Sequence, residues 1–184
     1  MKGGLLTEYN VNDLKNGNAD AFEVFVNDYQ GKIFSICAGM LPCKEDALDV
    51  TQEVFIKIYN NIRNFNEKSS LSTWVYRIAK NACYDFLRKK HYNIESEIPE
   101  NIADDKNLLP EDILEKVEDV KTVRMLIKEI PVKYRMPLLL REYENLSYDE
   151  ISKVLQISEG TVKSRIYRAK EYLLKLLSDN MELF

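Results

Sequence analysis

The sequence predicts an all-α protein: two small helical domains joined by a flexible acidic linker, the C-terminal one containing a helix-turn-helix. Three observations carry that expectation. Apolar residues recur every three or four positions, and alternating strand patterns are almost absent. Charge is segregated, since residues 92–119 hold ten acids against two bases, a local net of −8, leaving +4 for the remainder of a chain whose overall charge is −4. Near the C-terminal end, two short helix patterns are separated by a three-residue turn.

The first long helix spans 19–40, with Phe22, Phe25, Val26, Tyr29, Ile33, Phe34, Ile36 and Cys37 at helical spacing, and Pro42 closes it. A second covers 44–62, where Ala47, Val50, Val54, Ile58 and Ile62 form an i, i+3, i+4 stripe. Ser69 and Ser70 offer N-caps for a third, 71–90. The acidic stretch follows, with Pro99, Pro110 and no helical period until about Ile113. A structureless run of that length inside one compact domain is unusual, so it reads as a solvated linker. The expected division is residues 1–91, a linker 92–112, and residues 113–184. Past the linker a helix runs over 113–130 and stops at Pro131; another covers 133–143, with Pro137 in its first turns or bending it. Residues 1–18 carry no pattern that assigns them.

Ser147-Tyr148-Asp149-Glu150 is a capping box, the serine capping a helix and Glu150 standing three residues on. That helix, Tyr148–Leu155, buries Ile151, Val154 and Leu155; Gln156-Ile157-Ser158 turns the chain, and Ser158 caps the next helix from Glu159. On the wheel of this last helix, at about 100° per residue, Lys163, Ser164, Tyr167 and Arg168 share one face. Val162, Ile166, Ala169, Leu173 and Leu176 occupy the opposite one. In a helix-turn-helix the second helix enters the DNA major groove, where Arg and Lys donate to guanine O6 and N7 or to phosphates. Lys163, Ser164, Tyr167 and Arg168 are therefore the candidate base- and phosphate-reading residues.

Composition excludes several other classes. No run reaches the ~20 apolar residues of a membrane-spanning helix, and the first residues lack a signal-peptide core. Three unclustered cysteines (Cys37, Cys43, Cys83) make neither a disulfide scaffold nor a zinc site, and read as small buried apolar residues. With His91 the single histidine, metal clusters and serine–histidine chemistry are poorly supplied; His91 itself reads as a helix-end dipole partner. There is no P-loop or GxGxxG. The expectation is a cytoplasmic protein that is not an enzyme, with no metal, cofactor or small-molecule substrate.

The N-terminal half narrows the function. Glu45-Asp46-Ala47-Leu48-Asp49-Val50-Thr51-Gln52-Glu53-Val54-Phe55 resembles the core-polymerase-binding helix of sigma-70-family factors. Leu71-Ser72-Thr73-Trp74-Val75-Tyr76-Arg77-Ile78-Ala79-Lys80-Asn81, with Asp85 and Arg88, resembles their −10-element helix. Tyr134-Arg135, Leu146-Ser147-Tyr148-Asp149-Glu150-Ile151 and Gly160-Thr161-Val162-Lys163-Ser164-Arg165 resemble their −35-reading domain. The three motifs stand in family order, and the short two-domain form is similar to the extracytoplasmic-function (ECF) group.

The resemblance implies an alternative sigma factor that binds core RNA polymerase, reads duplex −35 and single-stranded −10 promoter DNA, and is held inactive by an anti-sigma partner. Asp49, Gln52 and Glu53 share one helix face and become the candidate core-binding residues. In the family, the loop before the −10 helix captures a flipped base; by position it is 64–70, holding Asn66, Lys68 and Ser69. Arg77, Lys80, Asn81 and Arg88 on the helix itself are the further −10 candidates, as cations interleaved with aromatics suit single strands. Trp74 reads as core, as does Phe55. The acidic linker would thread toward the RNA path. Two other readings compete: a freestanding helix-turn-helix regulator dimerising through its N-terminal helices, which would bind palindromic duplex without polymerase, and an enzyme with a DNA-binding tail.

Overall fold

A computed structural model describes residues 9–90 and 120–181. Within them the chain forms a short helix α1 (Val11–Lys15), then α2 (Ala19–Met40), α3 (Lys44–Asn61), a 3-10 turn at Ile62–Asn64, and α4 (Leu71–Lys89). The second half holds α5 (Val120–Glu129), α6 (Val132–Glu142), α7 (Tyr148–Leu155) and α8 (Glu159–Met181). The expected acidic linker, the first turns of the helix expected from 113, and His91 lie outside the described residues.

Local chemistry sets the boundaries. Asn18 caps α2 by accepting from the Ala21 amide, and Leu41 leaves the helix in extended conformation ahead of Pro42. The cap of α3 is Cys43, whose sulfur accepts from the Asp46 amide at 3.4 Å. That corrects the reading of all three cysteines as buried: Cys37 and Cys83 are, 3.8 Å apart between α2 and α4, whereas Cys43 is half-buried and spent on a helix end. Ser70, not Ser69, caps α4. Pro137 sits within α6 and is itself buried. It forgoes one helix hydrogen bond, and packing of its ring offsets part of that loss.

The N-terminal helices pack around α2. Phe25, Ile33, Ile36 and Met40 are fully buried there, and each such side chain contributes roughly 1.5–3 kcal/mol. Phe25 lies against Tyr29 at 4.7 Å between ring centroids and meets Phe55 edge-on at 6.2 Å. In the C-terminal half α6 packs on α7 and α8, joining Leu138, Leu139 and Leu140 to Ile151, Val154, Val162 and Ile166.

The two halves touch. α6 lies on α2, and α7 lies on α4. At the first contact Gly39 faces Leu139, and a Cβ at 39 would meet Leu139 Cδ2 at 2.7 Å, so the close approach requires glycine. Arg135 is buried beside it. Its guanidinium donates to the carbonyls of Ile130 (Nε at 3.1 Å, Nη2 at 2.8 Å) and Lys128 (2.7 Å) at the end of α5, and of Met40 (2.8 Å) at the end of α2. One side chain thus serves the orphan carbonyls of two helix C-termini, one in each half. Burial pulls the Arg135 guanidinium below its ordinary value.

Candidate nucleic-acid and polymerase interfaces

Three surfaces carry the candidate residues. The first is the outer face of α3. Its inner stripe, Ala47, Val50, Val54 and Ile58, is buried as the periodicity predicts. Outward, Asp49 and Gln52 are exposed, and Glu53 pairs with Lys57 one turn on at 2.7 Å. Beside the two carboxylates runs an apolar line that sequence reading missed: Leu48 (44% exposed), Ile56 (61%) and Tyr59 (58%), at i, i+8 and i+11 with Gln52 among them. The signal was available, since Leu48 and Ile56 fall outside the core stripe of the same helix. Tyr59 also meets the half-buried Phe22 ring edge-on at 5.0 Å, which leaves Leu48 and Ile56 as the more open members of the line. Flanked by carboxylates and an amide, the line suits a partner presenting arginines around an apolar centre.

The second surface is the 65–70 loop with α4. Phe65 is buried and packs at a 41° tilt against half-buried Trp74, 5.3 Å between ring centroids, so Trp74 braces the start of the loop. Asn66 is exposed and its side-chain Oδ1 accepts from the Lys68 amide at 3.3 Å, closing an Asx turn. Glu67 takes left-handed backbone, φ 58°. Lys68 is exposed and Ser69 half-exposed. The four candidate residues of α4 divide. Asn81 and Arg88 are exposed, Arg88 pairing with Asp85 at 3.4 Å. Arg77 instead donates from Nη2 to the Lys153 carbonyl of α7 at 3.0 Å, while its Nε is buried without a partner. Lys80 is buried, and that burial, with Arg77 and Arg88 nearby, holds its ammonium below the ordinary lysine value. Tyr76, next on the helix to Arg77, donates its hydroxyl to the Glu144 carboxylate. Of the seven −10 candidates, Arg77 is thus engaged by the helix-turn-helix and Lys80 is buried, while the other five stay at least partly exposed.

The third surface is the helix-turn-helix. The capping box is complete: Glu150 N–H donates to Ser147 Oγ at 3.2 Å, and the Glu150 carboxylate accepts from the Ser147 amide at 2.8 Å. The Ser147 amide and, behind it, the Ser147 hydroxyl, which also donates to the Glu150 carboxylate at 2.8 Å, hold that carboxyl below its ordinary value. Gln156 turns the chain in left-handed conformation, φ 61°, and Ser158 caps α8 by accepting from the Thr161 amide at 3.1 Å. Val162, Ile166, Ala169 and Leu173 are buried as expected. Opposite them Lys163 and Arg168 are exposed, with Ser164 and Tyr167 half-exposed. Lys163 lies 5.5 Å over the Tyr148 ring, and Arg168 pairs with Glu171 at 2.8 Å. The cations of the candidate reading face are thus oriented by one aromatic ring and one carboxylate.

Among the described residues, no group of His, Cys, Asp or Glu is arranged to hold a metal ion, and no helix is long and apolar enough to cross a membrane.

Comparison with known proteins bears on the same two halves. Residues 25–92 match the family described as sigma-70 region 2, and residues 121–173 the family described as sigma-70, region 4. The chain is 37% identical over 186 residues to the ECF RNA polymerase sigma factor SigW of Bacillus subtilis, covering 95% of this chain and 98% of that protein. It is 33% identical over 180 residues to the ECF RNA polymerase sigma-E factor of Escherichia coli K12, covering 93% and 94%. Its fold is similar to that of CnrH in complex with the cytosolic domain of CnrY, with TM-score 0.69, 21% identity, and coverage of 92% and 95%. It is similar again to the sigma factor RpoE bound to the anti-sigma factor NepR from Bartonella quintana, with TM-score 0.68, 20% identity, and coverage of 87% and 98%.

Proposed function

From the premise that this chain belongs to the ECF sigma factors of the sigma-70 family, we propose that it binds core RNA polymerase and directs transcription from promoters whose −35 and −10 elements it reads. It acts by binding, as an initiation factor with no chemistry of its own, in the cytoplasm. One observation supports this reading most: the apolar line Leu48, Ile56 and Tyr59 lies open among Asp49, Gln52 and Glu53, on the helix whose sequence resembles the polymerase-docking element.

The division of labour follows the surfaces. Residues 1–91 dock on polymerase through α3 and hold the −10 strand with Asn66, Lys68, Ser69, Arg77, Lys80, Asn81 and Arg88. Residues 113–184 read duplex −35 with Lys163, Ser164, Tyr167 and Arg168, and residues 92–112 join the two. Extracting a base from the stack costs a few kcal/mol, which a preformed polar loop offsets in part. The unpartnered Nε of Arg77 supports a second bonding arrangement for that side chain, reached when α7 moves off α4 and a phosphate or base replaces the Lys153 carbonyl. The similar sigma factor RpoE is seen with the anti-sigma factor NepR, and a partner of that kind is proposed here.

The test is reconstitution with core polymerase. Asp49→Ala with Gln52→Ala should weaken core binding and leave duplex binding by the helix-turn-helix unchanged. Equal loss of both activities would contradict the assignment of α3.

A further inference from the structure

Nothing in the sequence assigned the segment before α2, yet the structure packs it beneath the loop given to −10 capture. α1 lies against the 3-10 turn at Ile62–Asn64, anchored by Leu14, which is 2% exposed. From the next residue, Lys15 reaches across to the loop. Its ammonium pairs with the Glu67 carboxylate and lies 5.6 Å over the Phe65 ring. Both partners matter to loop shape. Phe65 is the buried wedge against Trp74 where the loop begins. Glu67 carries the left-handed φ that reverses the chain between Asn66 and Lys68.

A non-glycine residue in that conformation costs free energy, so the surroundings must hold it there. Asn66 supplies one restraint through its bond to the Lys68 amide, and Lys15 supplies another from outside the loop. We propose that Lys15 is a positioning residue for the 65–70 loop: it touches no DNA, and by holding Phe65 and Glu67 it fixes the presentation of Asn66, Lys68 and Ser69 to the −10 strand. This rests on the assignment of that loop to −10 recognition.

The cation is suited to the role. Its side chain is mostly covered while Glu67 is exposed, so the pair is partly shielded from the screening that weakens a free surface bridge. The aromatic contact adds attraction without depending on Glu67.

The test uses the full chain. Hydrogen exchange on free Lys15→Glu should be faster at the amides of residues 65–70 and unchanged in α7 and α8. In reconstituted holoenzyme, two initiation ratios are measured, one between promoters differing only in the −10 element and one between promoters differing only in the −35 element. Lys15→Glu should lower the −10 ratio about fivefold, the scale of a partly shielded ion pair with a cation–π contact, and leave the −35 ratio unchanged. Lys15→Arg, and the exchange of Lys15→Glu with Glu67→Lys, should return the −10 ratio to within about twofold of the parent, since charge complementarity is restored. Unchanged loop exchange, both ratios falling together, or no recovery in the exchanged pair would each overturn the positioning role. A parent chain that drives no promoter-dependent initiation would overturn the proposed function, and this role with it.

Discussion

Replacing Arg135 with methionine tests the packing account most severely, because no carboxylate receives any of its four hydrogen bonds. They end on three carbonyls, Lys128, Ile130 and Met40, at the C-termini of α5 and α2. Methionine fills much of the same volume and removes the buried charge, which is a gain. It also strands three carbonyls where water has little access, at roughly 1 kcal/mol or more each, so the net loss should be about 3 kcal/mol. For a chain of this size that lowers the melting midpoint by about 6–12 °C. Lysine at 135 should do little better, since a single ammonium on a flexible stem cannot span three acceptors set for a guanidinium. The measurement is urea and thermal denaturation of parent and both variants by circular dichroism. A loss below about 1 kcal/mol for Arg135→Met would refute the view that this side chain holds two helix ends together.

Gly39→Ala should cost about 1–3 kcal/mol in denaturant titration by overpacking against Leu139, and a double-mutant cycle should find that cost smaller when residue 139 is already alanine. Glu150 has its carboxyl held below the unfolded value of 4.5 by the Ser147 donors, so its contribution is present above that pH and is lost as pH falls through the lower folded value. Between pH 5 and pH 3 the parent should therefore lose more stability than Glu150→Gln; parallel profiles would mean the capping box does not couple to protonation. Arg168→Ala should cost about 1–3 kcal/mol of −35 discrimination in competition binding, and an unchanged preference would mean the reading face lies elsewhere on α8.

Local rules made most of the helical framework legible. The stripe of α3, the capping box of α7 and the aliphatic side of α8 each follow from spacing alone: the structure buries the first, forms the second, and buries Val162, Ile166, Ala169 and Leu173 of the third while Leu176 is half-buried. Helix ends agree to within a residue or two where a cap or a proline marks them, as at Ser70, Pro42 and Ser147. What escaped was decided by partners distant in the chain. Lys80 and Arg77 read as solvent-facing cations of an amphipathic helix, and no periodicity could reveal that Lys80 is buried or that Arg77 donates to a carbonyl of α7. Leu48, Ile56 and Tyr59 escaped for the opposite reason, since apolar residues are expected to face inward and these three are left open. The segment before α2 has too few residues to show a period, and its place under the 65–70 loop arises from Leu14, Lys15 and a fold around them.

The most direct measurement mixes the purified chain with core RNA polymerase freed of its own initiation subunit and maps transcript 5′ ends on a library of random promoter sequences. Stoichiometric association should be accompanied by starts downstream of one shared pair of spaced elements, lost together when the α3 face is altered. A chain that fails to associate, or that binds palindromic duplex tightly while polymerase starts stay at the level of core alone, would show it to be a freestanding regulator instead.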